Sequence, residues 1–277
     1  MLQTVSGYQV NVDEFNPKGE RFIVLLHGFG ASVFSWRTVT DELSKLGHVV
    51  AYDRHGFGAT ALVDRNKQDD PYGLQGQVSI LASLIEDRAK GRPVIIVGHS
   101  AGALVATEFV LRHPGVVSAL VLESPAVWRK PPIPQGLGRL LRSPRLEKRG
   151  EKLLEGFAKS GMKILTSSFF DESKLTQEIV NGYTAPMSRP EWKLALWRFM
   201  TASQQNEVRA NLWRIDIPTL IITGDHDTIV KVEDTFKVAE RILGHSIYLV
   251  PNTGHLAHEE APADFVRVVK RFIEKNI

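Results

Sequence analysis

Five residues, Gly98-His99-Ser100-Ala101-Gly102, carry the sharpest chemical signal in the chain. They match Gly-x-Ser-x-Gly, the pattern of a nucleophile elbow. An apolar run from Pro93 to Val97 enters them, and an amphipathic stretch from Ala101 to His113 leaves them. A strand that turns at once into a helix holds its corner residue in a strained, exposed conformation. Gly98 and Gly102 clear the space in which a Cβ would clash. Ser100 Oγ is then expected at the carboxyl end of the sheet, where open α/β folds place their sites, beside a helix N-terminus that favours negative charge. A serine hydroxyl is a poor nucleophile at neutral pH; it needs a base, and the base needs an orienting acid. Among nine histidines, His255 follows the last apolar run, in Pro251-Asn252-Thr253-Gly254-His255. A lone loop histidine is ordinarily a surface residue, but the elbow demands a base at this edge, and His255 is the expected one. His258 is expected to pack or hydrogen-bond beside it, and His99 to point toward structure rather than substrate. Asp225 and Asp227, in Gly224-Asp225-His226-Asp227, are both candidates for the acid. Asp227 is preferred, with Asp225 capping or bracing the loop; Glu123, at the end of the preceding core strand, is a weaker alternative.

A serine attacking a carbonyl makes an oxyanion that needs N–H donors. The backbone N–H of Ala101 is one. The other is expected from Phe29, in the loop His27-Gly28-Phe29-Gly30, whose glycines let backbone approach a substrate closely. A phosphate-binding glycine loop is disfavoured, since no Gly-Lys-Ser/Thr follows and the dinucleotide fingerprint is absent. Asp53 and Arg54, opening Asp53-Arg54-His55-Gly56-Phe57-Gly58, are read as holding backbone near the site. A base of this type works only as neutral imidazole, so the rate should rise between roughly pH 6 and 8.

These residues sit where an α/β chain would place them. Phe22–Leu26, His48–Tyr52, Val94–Val97, Ala119–Leu122, Thr219–Thr223 and Ile247–Val250 are short apolar runs without polar alternation, as in strands covered on both faces. Helical patterns over 34–46, 75–90, 101–113, 232–243 and 262–275 alternate with them, which implies parallel βαβ units. Tyr8–Phe15 reads as an early antiparallel strand. From Trp128 to Trp213 the rhythm breaks. A stiff entry, Arg129-Lys130-Pro131-Pro132-Ile133-Pro134, leads to helical patterns over 153–165, 175–183 and 191–203. The expected division is a core of 1–127 and 214–277 and a helical insertion of 128–213. Arg129 to Lys163 holds ten Lys or Arg against three Glu. Such a run is ordinarily a solvated face, with an anion-attracting or membrane-facing patch as the sharper reading.

The length of 277 residues suits one large α/β domain with an insertion. With no cysteine, the chain has no disulfide framework, no Cys-based metal site and no Cys nucleophile. A formal net charge of +3, with charged residues at 23%, gives no footprint of a nucleic-acid binder. The N-terminus shows no signal-peptide pattern, and no apolar run reaches the about 18 residues of a membrane span. A cytoplasmic protein without stable membrane insertion is expected; its oligomeric state is not legible.

The chain resembles the α/β-hydrolase superfamily, in the branch with a helical cap. The resemblance runs through His27–Gly30, Asp53–Gly58, Gly98–Gly102, Gly224–Asp227, and Gly254-His255 with Glu259 and Pro262 after it. It implies an α/β-hydrolase fold, a mostly parallel sheet with helices on both faces, and the chain order Ser…Asp…His. It also implies that the second acid of Gly-Asp-x-Asp, Asp227, is the triad member and that 128–213 is the cap. The resulting reading is a cofactor-free, metal-free serine hydrolase cleaving small or medium carboxylic esters through Ser100, His255 and Asp227. Trp128, Phe157, Phe169, Trp197 and Phe199 from the cap and Trp36 from the core are candidate pocket residues. Ser100 stands where dehalogenases and epoxide hydrolases of this fold have Asp, which disfavours both. A C–C bond hydrolase, lactonase or amidase/perhydrolase is the first alternative. The first of these is weakened because Gly28–Arg37 has neither the Pro nor the Asn usual in C–C hydrolases. A non-catalytic binding protein on the same fold is the second.

Overall fold

The computed structural model describes residues 1–65, 70–129 and 133–277, apart from the side chains at 135 and 157–159. Phe157, expected in the pocket, has its side chain outside the described residues, and Lys130-Pro131-Pro132 of the expected entry also lies outside them. Among the described residues eight strands are formed: β1 Leu2–Val5, β2 Tyr8–Phe15, β3 Phe22–Leu26, β4 His48–Tyr52, β5 Val94–His99, β6 Ala119–Glu123, β7 Thr219–Gly224 and β8 Ser246–Val250. They form one sheet in the order β1-β2-β4-β3-β5-β6-β7-β8. β1 pairs antiparallel with β2, β2 antiparallel with β4, and all other pairs are parallel. The fold is the α/β-hydrolase fold.

Every residue of β3 to β7 is buried. Their side chains divide by the period of two. Val24, Leu26, Ile96 and Leu120 join the core on one face, while Ile23, Leu25, Ile95 and Val121 join that on the other. Helices Leu74–Ala89 and Ala101–Arg112 supply the first face, and Pro262–Asn276 the second.

β1 is absent from the sequence reading because it is a short edge strand with only Val5 buried. Ser6 and Gly7 turn it into β2 with φ of 51° and 81°, the left-handed pair that tight hairpins use. The helix expected over 34–46 is instead a 3₁₀ turn, Val33–Trp36, and a short helix, Thr40–Ser44. Val39, at φ −123°, interrupts it, in line with the poor helix preference of the β-branched run Thr38-Val39-Thr40. Between β6 and β7 the described residues form helices and turns but no strand. Two of these helices, Gln135–Leu140 and Pro144–Leu153, escape the sequence pattern. The first is short and carries Gly136 and Gly138, and the second is charged at six of its ten residues, so neither shows a run of apolar periodicity.

Candidate active site

Ser100 ends β5 and opens helix Ala101–Arg112 at φ 53° and ψ −114°, a conformation that costs a non-glycine residue strain. Its N–H donates to Glu123 O at 2.8 Å. The elbow is this tight because helix Ala101–Arg112 lies against β3; a Cβ on Gly102 would fall 2.3 Å from Leu26 O. The loop after β3 reaches Ser100 as well, and a Cβ on Gly28 would lie 3.2 Å from Ser100 Cβ. Phe29 follows, its ring 5.5 Å from Phe57 and 5.8 Å from Phe199. Ala101 occupies the first helical position, where the backbone N–H has no intrahelical acceptor. The two expected oxyanion donors are therefore on the segments that meet at Ser100.

His255 and Asp227 stand on the loops that follow β8 and β7. His255 Nδ1 is 2.8 Å from Asp227 Oδ2, with both side chains buried. Asp227 Oδ1 accepts N–H bonds from Ile229 and Val230, each at 2.9 Å. The carboxylate is fixed from its other side, and the imidazole is left with Nε2 free of Asp227. Asp225 accepts from Thr253 N–H at 3.2 Å and contacts His226 at 2.7 Å, bracing the two loops. Glu123 does not approach His255; its carboxylate takes His258 N–H at 3.0 Å and His258 Nδ1 at 2.7 Å.

The ring of His99 lies 4.7 Å from that of His255 and donates Nε2–H to His255 O at 3.1 Å. Burial, with His255 and His258 nearby, holds its pKa well below the ordinary value. His27 is also held well down by burial and by Arg54. Its Nε2 accepts the Arg54 N–H at 3.0 Å, which leaves Nδ1–H to donate to Gly28 O at 2.8 Å. Both rings are thus neutral supports of the two loops that flank Ser100. Arg54 also donates to Gly28 O at 2.9 Å, and Asp53 accepts N–H bonds from Val33 and Ala59 at 2.7 and 2.6 Å. Asp53 and Arg54 accordingly hold backbone around the site.

The aromatic residues scatter. Trp36 is fully buried in the core, its ring tilted 4.4 Å from that of His258. Trp128 has the guanidinium groups of Arg209 and Arg241 at 5.2 and 5.0 Å from its ring, on the outside of the first core. Phe169 packs on Leu256, next to His255. Trp197 covers Gly150, and Phe199 meets Phe29 and Phe57. A cavity of ≈ 60 Å³ opens beside Gly30 and Ala31, lined by Phe57, Met187, Trp192 and Leu196. Met187 and Leu196 carry no sequence signal that separates them from packing residues. Glu260 is the other residue the sequence reading passes over: its buried carboxylate accepts from Gly254 N–H at 2.7 Å and Asp171 N–H at 2.7 Å. Among the described residues no group of three or more His, Asp or Glu converges as metal ligands, and no helix is long and apolar enough to cross a membrane.

Residues 23–268 match the model of the alpha/beta hydrolase family. An uncharacterized hydrolase of Bacillus subtilis is 25% identical over 95% of this chain and 96% of its own. A 2-hydroxy-6-oxo-2,4-heptadienoate hydrolase of Pseudomonas putida is 27% identical over 91% of this chain and 88% of its own. Among solved structures, a thermophilic esterase from Thermogutta terrifontis superimposes with a TM-score of 0.78 at 19% identity, covering 99% of this chain and 98% of that one. That last likeness is one of fold.

Proposed function

The chain belongs to the alpha/beta hydrolase family, and from that premise we propose that it is a serine hydrolase, a carboxylesterase for esters of small or medium acyl chains. One observation carries the reading. A strained serine at the strand–helix corner shares a sheet edge with a buried histidine whose Nδ1 is held 2.8 Å from a buried aspartate. With Nδ1 committed to Asp227, His255 Nε2 is the atom that takes the Ser100 proton as Oγ attacks the ester carbonyl. The developing oxyanion is received by the N–H groups of Phe29 and Ala101. His255 returns the proton to the departing alcohol, and the acyl group stays on Ser100. Water, deprotonated by the same imidazole, then releases the acid and restores the serine. Asp227 keeps the proton of the resting imidazole on Nδ1 and stabilises the imidazolium.

The helical segment 128–213 acts as a cap over this edge. The apolar cavity beside Gly30 favours neutral acyl or alcohol groups, since Arg189, the cation among its described lining residues, is engaged by Gly58 O and Glu191. A second reading, cleavage of a carbon–carbon bond in a ring-fission diketone by the same residues, is favoured by the name of the Pseudomonas relative. The test is initial hydrolysis rates on p-nitrophenyl acetate, butyrate, octanoate and palmitate, with Ser100→Ala as control. Turnover abolished by the substitution is the expected result. Turnover equal in the two proteins would reject Ser100 as the nucleophile, and none in either would move the reading to the diketone.

A further inference from the structure

We propose that Glu260 is a positioning residue: it locks the cap segment 167–171 to the loop that carries His255, so that the imidazole is correctly placed only while this segment is seated. The inference rests on the reading of His255 as the base. Glu260 lies in the short helix Ala257–Glu260, five residues after His255, and is 3% exposed. Its Oε2 accepts from Gly254 N–H at 2.7 Å and from Phe170 N–H at 3.1 Å. Its Oε1 accepts from Asp171 N–H at 2.7 Å. One side chain therefore satisfies backbone donors on two segments distant in sequence. A buried carboxylate is tolerable only while such donors surround it. Unseating 170–171 would leave it a single one of these three.

The reverse contacts run the same way. His255 N–H donates to Ser168 O at 2.7 Å, and Thr228 Oγ1, one residue beyond Asp227, donates to Ser167 O at 3.1 Å. A Cβ on Gly254 would fall 2.4 Å from Ser168 O, so the two segments touch backbone to backbone. The acid loop, the base loop and this part of the cap form one hydrogen-bonded unit. Lys174 Nζ adds a bond to Glu260 O at 2.9 Å, which ties the cap to the same residue without using the carboxylate.

That difference supplies the control. Glu260→Gln keeps the shape but turns one acceptor into an NH₂ group facing N–H donors. Its kcat for p-nitrophenyl butyrate should fall about tenfold to hundredfold, the scale of a base displaced by about 1 Å, with KM little changed. The rate of fluorophosphonate labelling at Ser100 should fall by the same factor, and Glu260→Asp should recover part of both. Lys174→Met should leave kcat and labelling at the wild-type level. A Glu260→Gln protein with wild-type kcat and labelling rate, altered only in its melting temperature, would overturn the proposal. So would an equal loss of kcat in Lys174→Met. Hydrogen exchange of the unaltered protein needs no variant to fold: residues 168–171 and 254–256 should exchange at one common rate, and a cap segment opening far faster than the histidine loop would overturn the coupling. Failure of the serine-hydrolase reading is separate, since it appears as a wild type that neither labels nor turns over.

Discussion

His55 is buried beside the rings of Tyr8 and Tyr72, and among the described residues neither of its ring nitrogens has a hydrogen-bond partner. Burial pushes its pKa from the ordinary 6.5 down to about 4. Between those two values the unfolded chain binds a proton that the folded one refuses, so stability rises with pH there. This contribution is complete above about pH 6.5 and is lost as pH falls toward 4. One such proton is worth about 1.4 kcal/mol per pH unit. His55→Phe fits the same aromatic surroundings and removes the titration. Urea unfolding at intervals from pH 7 to 4 should show the slope of stability against pH reduced by about one proton. His27 and His99, also held neutral by burial, leave a residual slope in the variant. An unchanged slope would mean that His55 is protonated in the folded chain.

The elbow is an element whose geometry conflicts with its residue. Ser100 sits at φ 53° and ψ −114°, where glycine is at ease and a Cβ is not. Two substitutions that both remove the hydroxyl separate the strain from the chemistry. Ser100→Gly should be more stable than Ser100→Ala by about 1–3 kcal/mol, the cost of one such backbone conformation. Denaturant midpoints of the two proteins read this directly, and equal midpoints would place the strain elsewhere. β3 to β7 are legible in the sequence because burial on both faces leaves unbroken apolar runs. β1 and helix Pro144–Leu153 are not, because one is an edge strand and the other presents charge along most of its length. The loops bearing Ser100, Asp227 and His255 can be found because each directly follows a strand. Glu260 cannot be read this way: its partners are backbone N–H groups, two of them about ninety residues away, and they impose no side-chain pattern. Trp36 illustrates the opposite difficulty. An aromatic residue after the Gly28–Gly30 loop suits a pocket or a core equally well, and its full burial against His258 decides for the core.

At the scale of the whole molecule, the proposed function gives substrate choice to the surfaces where segment 128–213 meets the strand-bearing core. Helix Trp192–Thr201 is held over the core loop by Arg198, which donates to Val63 O at 2.6 Å, and by Arg65, which donates to Thr201 Oγ1 at 2.6 Å. A Cβ on Gly56 would lie 2.8 Å from Phe199 Cβ, so the two layers are in contact there. They separate beside Gly30, where the cavity of ≈ 60 Å³ opens. On the proposed reading, an acyl chain directed past the Phe29 loop lodges in that space. Met187 is half-buried on its wall, so its truncation costs little core packing. Met187→Ala should therefore move ester preference toward longer chains. Each additional methylene buried contributes about 0.8 kcal/mol, or roughly fourfold in kcat/KM. The ratio of octanoate to butyrate hydrolysis should rise by that factor for every methylene the enlarged cavity takes up, with a nearly constant melting temperature. If all chain lengths changed in proportion, the cavity would not be where the acyl chain lies, and the chain would have to leave Ser100 on the side where Phe169 packs against Leu256.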